Sequence, residues 1–365
     1  FVTWDVIRRY LVRKGYRVHY VQNFTDVDDK IINAANREGV TWKEISDRYI
    51  TAYFKAMDAL GVRHADVFPR VSETMEDIIR MITVLIDRGY AYVTAAGDVY
   101  YSVEAFERYG CLSGRRLDDM EAGARIEINE TKRHPMDFAL WKAAKPGEPS
   151  WGSPWGQGRP GWHIECSAMS VKYLGEAFDF HGGGNDLIFP HHENEIAQAE
   201  PCIDGDDKFA RYWLHNGFIT VDNEKMSKSM NNFFMVKDIL KEFSGEVIRF
   251  FILQTHYRSP LDFSDERLRE AQTALDRLRN TKNIAMELIT RDEHADTALE
   301  LAQQAELFLH DFDAAMDDDF NTALALSQMF GLSKEINRYY QEVERGTAFD
   351  AKNFARALDA YQTMA

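Results

Sequence analysis

Phe178-Asp179-Phe180-His181-Gly182-Gly183-Gly184-Asn185-Asp186 passes from an alternating, strand-like run into three glycines. After three apolar residues comes Pro190-His191-His192-Glu193-Asn194-Glu195. A strand near residues 177–180, a glycine-rich turn and a helix from about residue 191 form the strand–turn–helix unit of an α/β fold. The glycines let a backbone approach a flat ligand with no Cβ in the way. Asp186 then stands where carboxylates of nucleotide folds accept bonds from ribose hydroxyls. A plain tight turn is the alternative. Proline suits the first position of a helix, so His191 and Glu195 fall at i and i+4, one turn apart on one face.

Outward from this unit the α/β pattern holds on both sides. Residues 4–14 read as an amphipathic helix ended by Gly15, and Arg17–Gln22 alternates like a short strand. Helical patterns continue to about residue 89, with Gly39, Gly61 and Gly89 as stops. The order predicts a core with parallel strands. Residues 90–160 differ. Ala91–Thr94 and Asp98–Ser102 read as strands paired around Ala96-Gly97, Met136–Trp141 as another strand, and prolines and glycines crowd 135–160. From about residue 233 the chain is almost wholly helical. The expected division is an α/β domain in two parts (1–90 and 159–222) split by a small β-rich insertion (91–158). A region carrying a lysine-rich loop (223–285) and a helical bundle (286–365) follow.

Two further groups carry chemistry. Lys225-Met226-Ser227-Lys228-Ser229 places two ammonium groups and two hydroxyls on a short loop before the helical part. That suits a polyphosphate, whose departing charge cations stabilise; a solvated charged turn is the alternative. Upstream, Trp162-His163-Ile164-Glu165-Cys166-Ser167-Ala168 puts Cys166 at an expected helix start, where the dipole favours a thiolate. Cys166, His191 and Glu195 are three ligand types zinc accepts. A small buried cysteine and an acidic helix start are the plainer readings. His192 is expected to point elsewhere on the helix, and Cys111 and Cys202 receive no role.

Composition narrows the classes. The 365 residues suffice for two or three domains. Forty-three Lys and Arg against 59 Asp and Glu give a net charge of −16, which argues against a general nucleic-acid binder but leaves room for a local basic patch. No run approaches the roughly 20 apolar residues of a membrane span. Three cysteines are too few for a disulfide framework, so a cytoplasmic setting is expected. The first residues lack a signal-peptide pattern, and the missing start methionine reads as a segment of a longer protein.

At these residues the chain resembles the cysteinyl-tRNA synthetases, members of the class I aminoacyl-tRNA synthetases. The resemblance is carried by Phe24–Lys30, Gly161–Met169, His181–Glu195, Lys225–Ser229, His256–Ser259 and Met316–Thr322, in family order over essentially the whole chain. It implies a Rossmann-like, parallel-sheet catalytic domain split by the connective insertion, with residues 223–285 as a stem-contact region before the helical bundle. It also implies that L-cysteine is activated with ATP and passed to tRNA(Cys), with Mg2+ accompanying ATP. It implies that Cys166, His191 and Glu195 hold one Zn2+, and that Thr25 and Trp162 surround the bound cysteine. His181, Gly183 and Asp186 would line the adenosine site, with Lys228 also on ATP and Lys225 and Lys228 acting on the phosphates. A motif of the His-Ile-Gly-His type and another zinc-ligand cysteine are expected upstream of Phe1, and an anticodon-binding domain after Ala365. The chain departs from the family at Met230-Asn231-Asn232, where a glycine is usual; Asn tolerates the left-handed backbone such a turn needs. Two rival readings stand beside this one. The first is a paralogue that ligates cysteine to an amino sugar, as mycothiol ligases do; the second is a non-catalytic nucleotide- or RNA-binding relative.

Overall fold

The structure is a computed structural model that describes residues 1–117, 131–204, 208–221, 224–226, 233–291 and 297–365, with only the backbone of Lys225. The chain divides into two compact units: 18–55 with 64–215, and 1–17 with 56–63 and 216–365.

In the first unit the segments around residues 20–24 and 66–71 run side by side in parallel, but as two isolated bridges, Val21 to Val67 and Phe24 to Arg70. The strand expected at Arg17–Gln22 is therefore not a regular one. Gln22 N–H donates to Val67 O (3.1 Å), and Phe24 N–H donates to Pro69 O (2.9 Å). The bond between them would need a donor from Pro69, which has none. Helix α1 (Val2–Arg13) lies in the other unit; here α2 (Asp29–Glu38), α3 (Trp42–Ala59, ending in the other unit) and α4 (Met75–Asp87) follow. Met75, Ile78, Ile82 and Leu85 line one buried stripe of α4 and join a core with Val99, Tyr101, Trp141 and Ile164. Burying each such side chain stabilises by about 1.5–3 kcal/mol, and truncating Ile82 to Ala would cost about 2–5 kcal/mol.

Strands β1 (Ala91–Val93), β2 (Val99–Tyr101), β3 (Phe138–Ala143), β4 (Trp151–Ser153) and β5 (Gly156–Pro160) form one antiparallel sheet in the order β1-β2-β3-β5-β4. The turn of the first hairpin contains Gly97 at φ 88°. Strand β3 starts two residues later than Met136. The buried Asp137 spends its carboxylate on the Tyr92 hydroxyl (2.7 Å) and on the N–H groups of Val103 and His134 (both 3.0 Å), which holds a turn there.

Helix α5 (Trp162–Leu174) begins four residues before Cys166, so the expected start at the cysteine is wrong. Its N-cap, Gly161, lies where an added Cβ would meet Ala139 O at 1.9 Å. Strand β6 (Phe178–Gly184) pairs with β7 (Ala210–Asn216) and contains the three glycines that were expected to follow it. A wide turn over Ile188–His192, with Phe189 extended, leads into α6 (Glu193–Ala199). The regular helix thus starts after, not at, Pro190.

The second unit is mostly helical. The buried Asp5 of α1 pairs with Arg9 (2.9 Å) and Arg249 (2.8 Å) and accepts Arg63 N–H (3.0 Å). Strands β8 (Ile219–Val221), β9 (Glu224–Lys225) and β10 (Leu261–Asp262) form a small sheet ordered β10-β8-β9. Helices α7 (Val236–Ile239), α8 (Gly245–Leu253), α9 (Asp265–Leu288), α10 (Leu299–Asp317), α11 (Thr322–Glu344) and α12 (Ala351–Met364) complete it. Ser244, Ser264, Asn321 and Asp350 each cap a helix by accepting a backbone N–H. Among the described residues, no helix is long and apolar enough to cross a membrane.

Candidate metal centre

Helices α5 and α6 pack side by side and bring together residues distant in sequence. Cys166 on α5, His191 before α6 and Glu195 on α6 each offer a ligand atom, all within 4.8 Å of one another. The expected i, i+4 geometry holds: His191 Nε2 lies 2.9 Å from Glu195 Oε1. A second group, His181, His192 and Glu195, meets the same distance criterion from the other side of the carboxylate, with His181 Nε2 3.2 Å from Glu195 Oε2. His192, set aside on sequence, is thus beside Glu195, and its Nδ1 faces His215 Nε2 at 2.8 Å.

The electrostatics favour a cation. Glu195 is fully buried. Burial alone would raise its pKa, but the facing His181 and His191 rings outweigh that and hold it well below the carboxylate range. Neither ring aims an N–H along the line to the carboxylate, so both oxygens lack an aligned hydrogen bond. The ionised form is thus held by the two rings, while its oxygens stay open to a cation. Burial, followed by Glu195 and Glu165, pushes the Cys166 thiol well above its usual value, and Asn23 Nδ2 donates to it at 3.6 Å. The helix dipole alone therefore does not hold Cys166 as a thiolate. A metal cation among Sγ, imidazole nitrogen and carboxylate oxygen would satisfy Glu195 and invert the thiol's preference. Soft sulfur, imidazole and carboxylate together are a zinc donor set. His191 Nδ1 is engaged by His163 Nδ1 at 2.8 Å, which leaves Nε2 for a metal.

Residues 1–273 match the family described as tRNA synthetases class I (C) catalytic domain, and residues 311–365 match the DALR domain. The chain is 54% identical over 370 residues to a protein named cysteine--tRNA ligase of Heliobacterium modesticaldum, covering 100% of this chain and 76% of that one. It is 56% identical over 367 residues to that of Desulforamulus reducens, covering 100% and 74%. The chain belongs to the cysteine--tRNA ligase family. Among solved structures it resembles a Mycobacterium tuberculosis methionyl-tRNA synthetase bound by methionyl-adenylate, with a TM-score of 0.71 at 17% identity, covering 100% of this chain and 84% of that one. It also resembles an Agrobacterium radiobacter leucyl-tRNA synthetase in a ternary complex with tRNA, with a TM-score of 0.69 at 10% identity, covering 100% and 80%. At those identities the likeness is one of fold.

The other residues singled out for a cysteine--tRNA ligase are placed as follows. Trp162 is half-exposed, its ring 4.4 Å from that of His191. Thr25 donates to Glu165 Oε2 at 3.4 Å. His181 stands against Glu195, as described. Gly183 lies under His192: an added Cβ would meet that ring at 2.8 Å and Leu187 at 2.9 Å. The exposed Asp186 folds back so that Oδ1 comes 2.5 Å from where a Cβ on Gly184 would sit. The backbone of Lys225 is in β9, and Lys228 lies outside the described residues.

Glu193, His163 and His215 were not found by sequence reasoning. Burial drives the His163 pKa down to about 3, helped by His191, and that of His192 down to about 2. Glu193 is also fully buried and accepts N–H bonds from Gly110 (2.9 Å), Leu112 (3.4 Å) and Ser113 (2.8 Å). The adjacent Asn194 accepts the Tyr109 hydroxyl at 2.5 Å. One loop is thereby tied to the first turn of α6. No local pattern announces a partner 80 residues away; Glu193 looked like a helix-start acid.

Proposed function

We propose that this chain activates L-cysteine with ATP and transfers it to tRNA(Cys). The carboxylate oxygen of cysteine attacks the α-phosphorus of ATP, and the bond to pyrophosphate breaks. A terminal ribose hydroxyl of the tRNA then attacks the cysteinyl carbonyl, and AMP leaves. The reading draws on relatives named cysteine--tRNA ligase over the whole chain. The observation that carries it is the convergence of Cys166, His191 and Glu195 around a carboxylate without aligned donors.

In this reading those three residues hold Zn2+, which when bound takes the substrate's thiolate. Serine differs from cysteine by oxygen for sulfur, and shape alone discriminates such a pair weakly. A soft-ligand preference discriminates strongly. The exposed Trp162 and Thr25 border the amino acid. His181, Gly183 and Asp186 serve the adenosine, and Lys225 and Lys228 neutralise the phosphates, with Mg2+ accompanying ATP. The three cysteines are free thiols, in keeping with work in the cytoplasm.

The test is ATP–pyrophosphate exchange by the zinc-replete full-length protein. Exchange should depend on cysteine and be negligible with serine. Chelation should abolish the cysteine dependence and zinc restore it. Exchange that is independent of cysteine, or equal with serine, overturns the reading.

A further inference from the structure

Among the described residues, only two that are not glycine have positive φ: Asp319 and Phe320, both at 54°. They are consecutive and link α10 to α11. Left-handed backbone is uncommon for bulky residues, and it persists where the surroundings impose it, often for function.

The left-handed pair closes the end of α10, Phe320 N–H donating to Met316 O (3.2 Å) and Asn321 N–H to Ala315 O (3.1 Å), and it aims one carboxylate. Asp319 Oδ1 accepts the Tyr257 hydroxyl at 2.7 Å and Arg258 Nη2 at 2.9 Å. Oδ2 accepts Arg258 Nε, and His256 Nε2 is 3.8 Å away. The Arg258 side chain is half-exposed and that of Asp319 37% exposed. So open an ion pair adds little stability, and two left-handed residues are a poor exchange for it. The cap explains the left-handed backbone, but the ion pair by itself is not there for stability.

The partners of Asp319 lead toward the lysine loop. Tyr257 O accepts Gly217 N–H at 2.7 Å. Gly217 is pressed against the Ser259 backbone, where an added Cβ would meet Ser259 O at 2.2 Å. Strand β8 then pairs in parallel with β10, Ile219 to Leu261 and Thr220 to Asp262. On its other edge it pairs with β9, Thr220 to Lys225. Met226 N–H closes the hairpin on Ile219 O at 3.0 Å. Asp319 thus fixes the turn 256–259, that turn fixes β8, and β8 holds the backbone of Lys225.

We infer that Asp319 is a positioning residue for Lys225, acting through Tyr257 and Arg258 on the β8–β9 hairpin. The inference rests on the proposed role of Lys225 in cysteine activation. It gives the helical bundle a direct hold on that lysine.

The full-length, zinc-replete protein serves for the test, with Asp319→Ala and with Arg258→Lys, which keeps the charge and loses the fork. In cysteine-dependent pyrophosphate exchange, kcat should fall about 10- to 100-fold, as small misplacements remote from the chemistry do. KM for cysteine and the melting temperature should hold. The double variant should be no worse than Asp319→Ala alone. Tryptic cleavage after Lys225 should quicken in both single variants. Unchanged kcat, or kcat falling only together with melting temperature, overturns the inference. If Asp319→Ala does not fold, Arg258→Lys carries the test. Should wild-type protein show no cysteine-dependent exchange, the proposed function fails, and cleavage after Lys225 still decides whether the carboxylate holds the hairpin.

Discussion

Glu193 and Glu195 lie two residues apart in one turn of α6, and neither exposes any surface. Glu193 faces a loop that gives it three backbone N–H donors. Glu195 faces Cys166 and two imidazoles and has no aligned donor on either oxygen. A buried carboxylate must be satisfied. The first is satisfied by the chain itself and so contributes to the fold. The second is held ionised by two imidazoles without an aligned bond, which leaves its oxygens open to a cation, and so belongs to function. The same side chain in the same helix serves opposite ends, and burial does not separate the cases; the partners do.

That contrast breaks most sharply under substitution at the centre. Glu195→Gln and Cys166→Ser should each lower zinc affinity by more than about 100-fold, because even the partners behind metal ligands are worth about 10–100-fold. Bound zinc, measured by elemental analysis after dialysis, should fall from about one per chain to near none. The metal-free Glu195→Gln protein should melt below metal-free wild type at neutral pH, since a carboxyl whose pKa is held low contributes stability while ionised, and the gap should close as pH falls. Full zinc retention in either variant would end the distinction between the two carboxylates.

Glu193→Ala should do the reverse. It strands the buried N–H of Gly110 and the partly buried N–H groups of Leu112 and Ser113, at a cost of about 1–3 kcal/mol for each buried group left without an acceptor. The urea midpoint of the metal-free protein reads this directly. Glu193→Gln should cost less, because its amide oxygen still accepts. A Glu193→Ala protein as stable as wild type yet empty of zinc would reverse the two assignments.

His163→Phe comes next in size. The ring volume stays and the nitrogen facing His191 Nδ1 at 2.8 Å goes. Zinc affinity should drop about 10- to 100-fold, read by competition with a chelator, while stability moves by no more than about 1 kcal/mol. An unaltered affinity would mean that His191 needs no partner to present Nε2.

Much of this centre was legible because it is periodic. His191 and Glu195 announce themselves by spacing four, and the paired strands around Gly97 by alternation and a turn. What was hidden depends on groups far off in sequence. The break at Pro69 is visible only once Gln22 is known to lie opposite. Helix α5 starts at Trp162 because Gly161 alone fits beneath Ala139 O, a contact no local signal encodes. The glycines of β6 read as a turn, yet Gly183 is small because His192 lies over it. The surroundings of Cys166 were hidden for the same reason: its burial comes from packing, and its acidic neighbour Glu195 from another helix.

Glu165 supplies a third case, and the gentlest test. It too is buried, at 2% exposure, next to Cys166 in sequence. Burial, followed by Asp26 and Asp28, pushes its pKa well above 4.5. Such a carboxyl resolves its burial in a third way, by keeping its proton. The unfolded chain ionises above about pH 4.5 while the folded one does not, so the unfolded state binds fewer protons. Stability then falls as pH rises through that window, by up to about 1.4 kcal/mol per unit, and is fully regained below it. Glu165→Gln carries a neutral isostere and removes the dependence. The metal-free variant should match wild type near pH 4.5 and become the more stable of the two as pH rises, in urea midpoints taken across that range. A variant less stable than wild type at neutral pH would show that Glu165 is ionised when folded, placing it with Glu193 among the carboxylates that the chain satisfies.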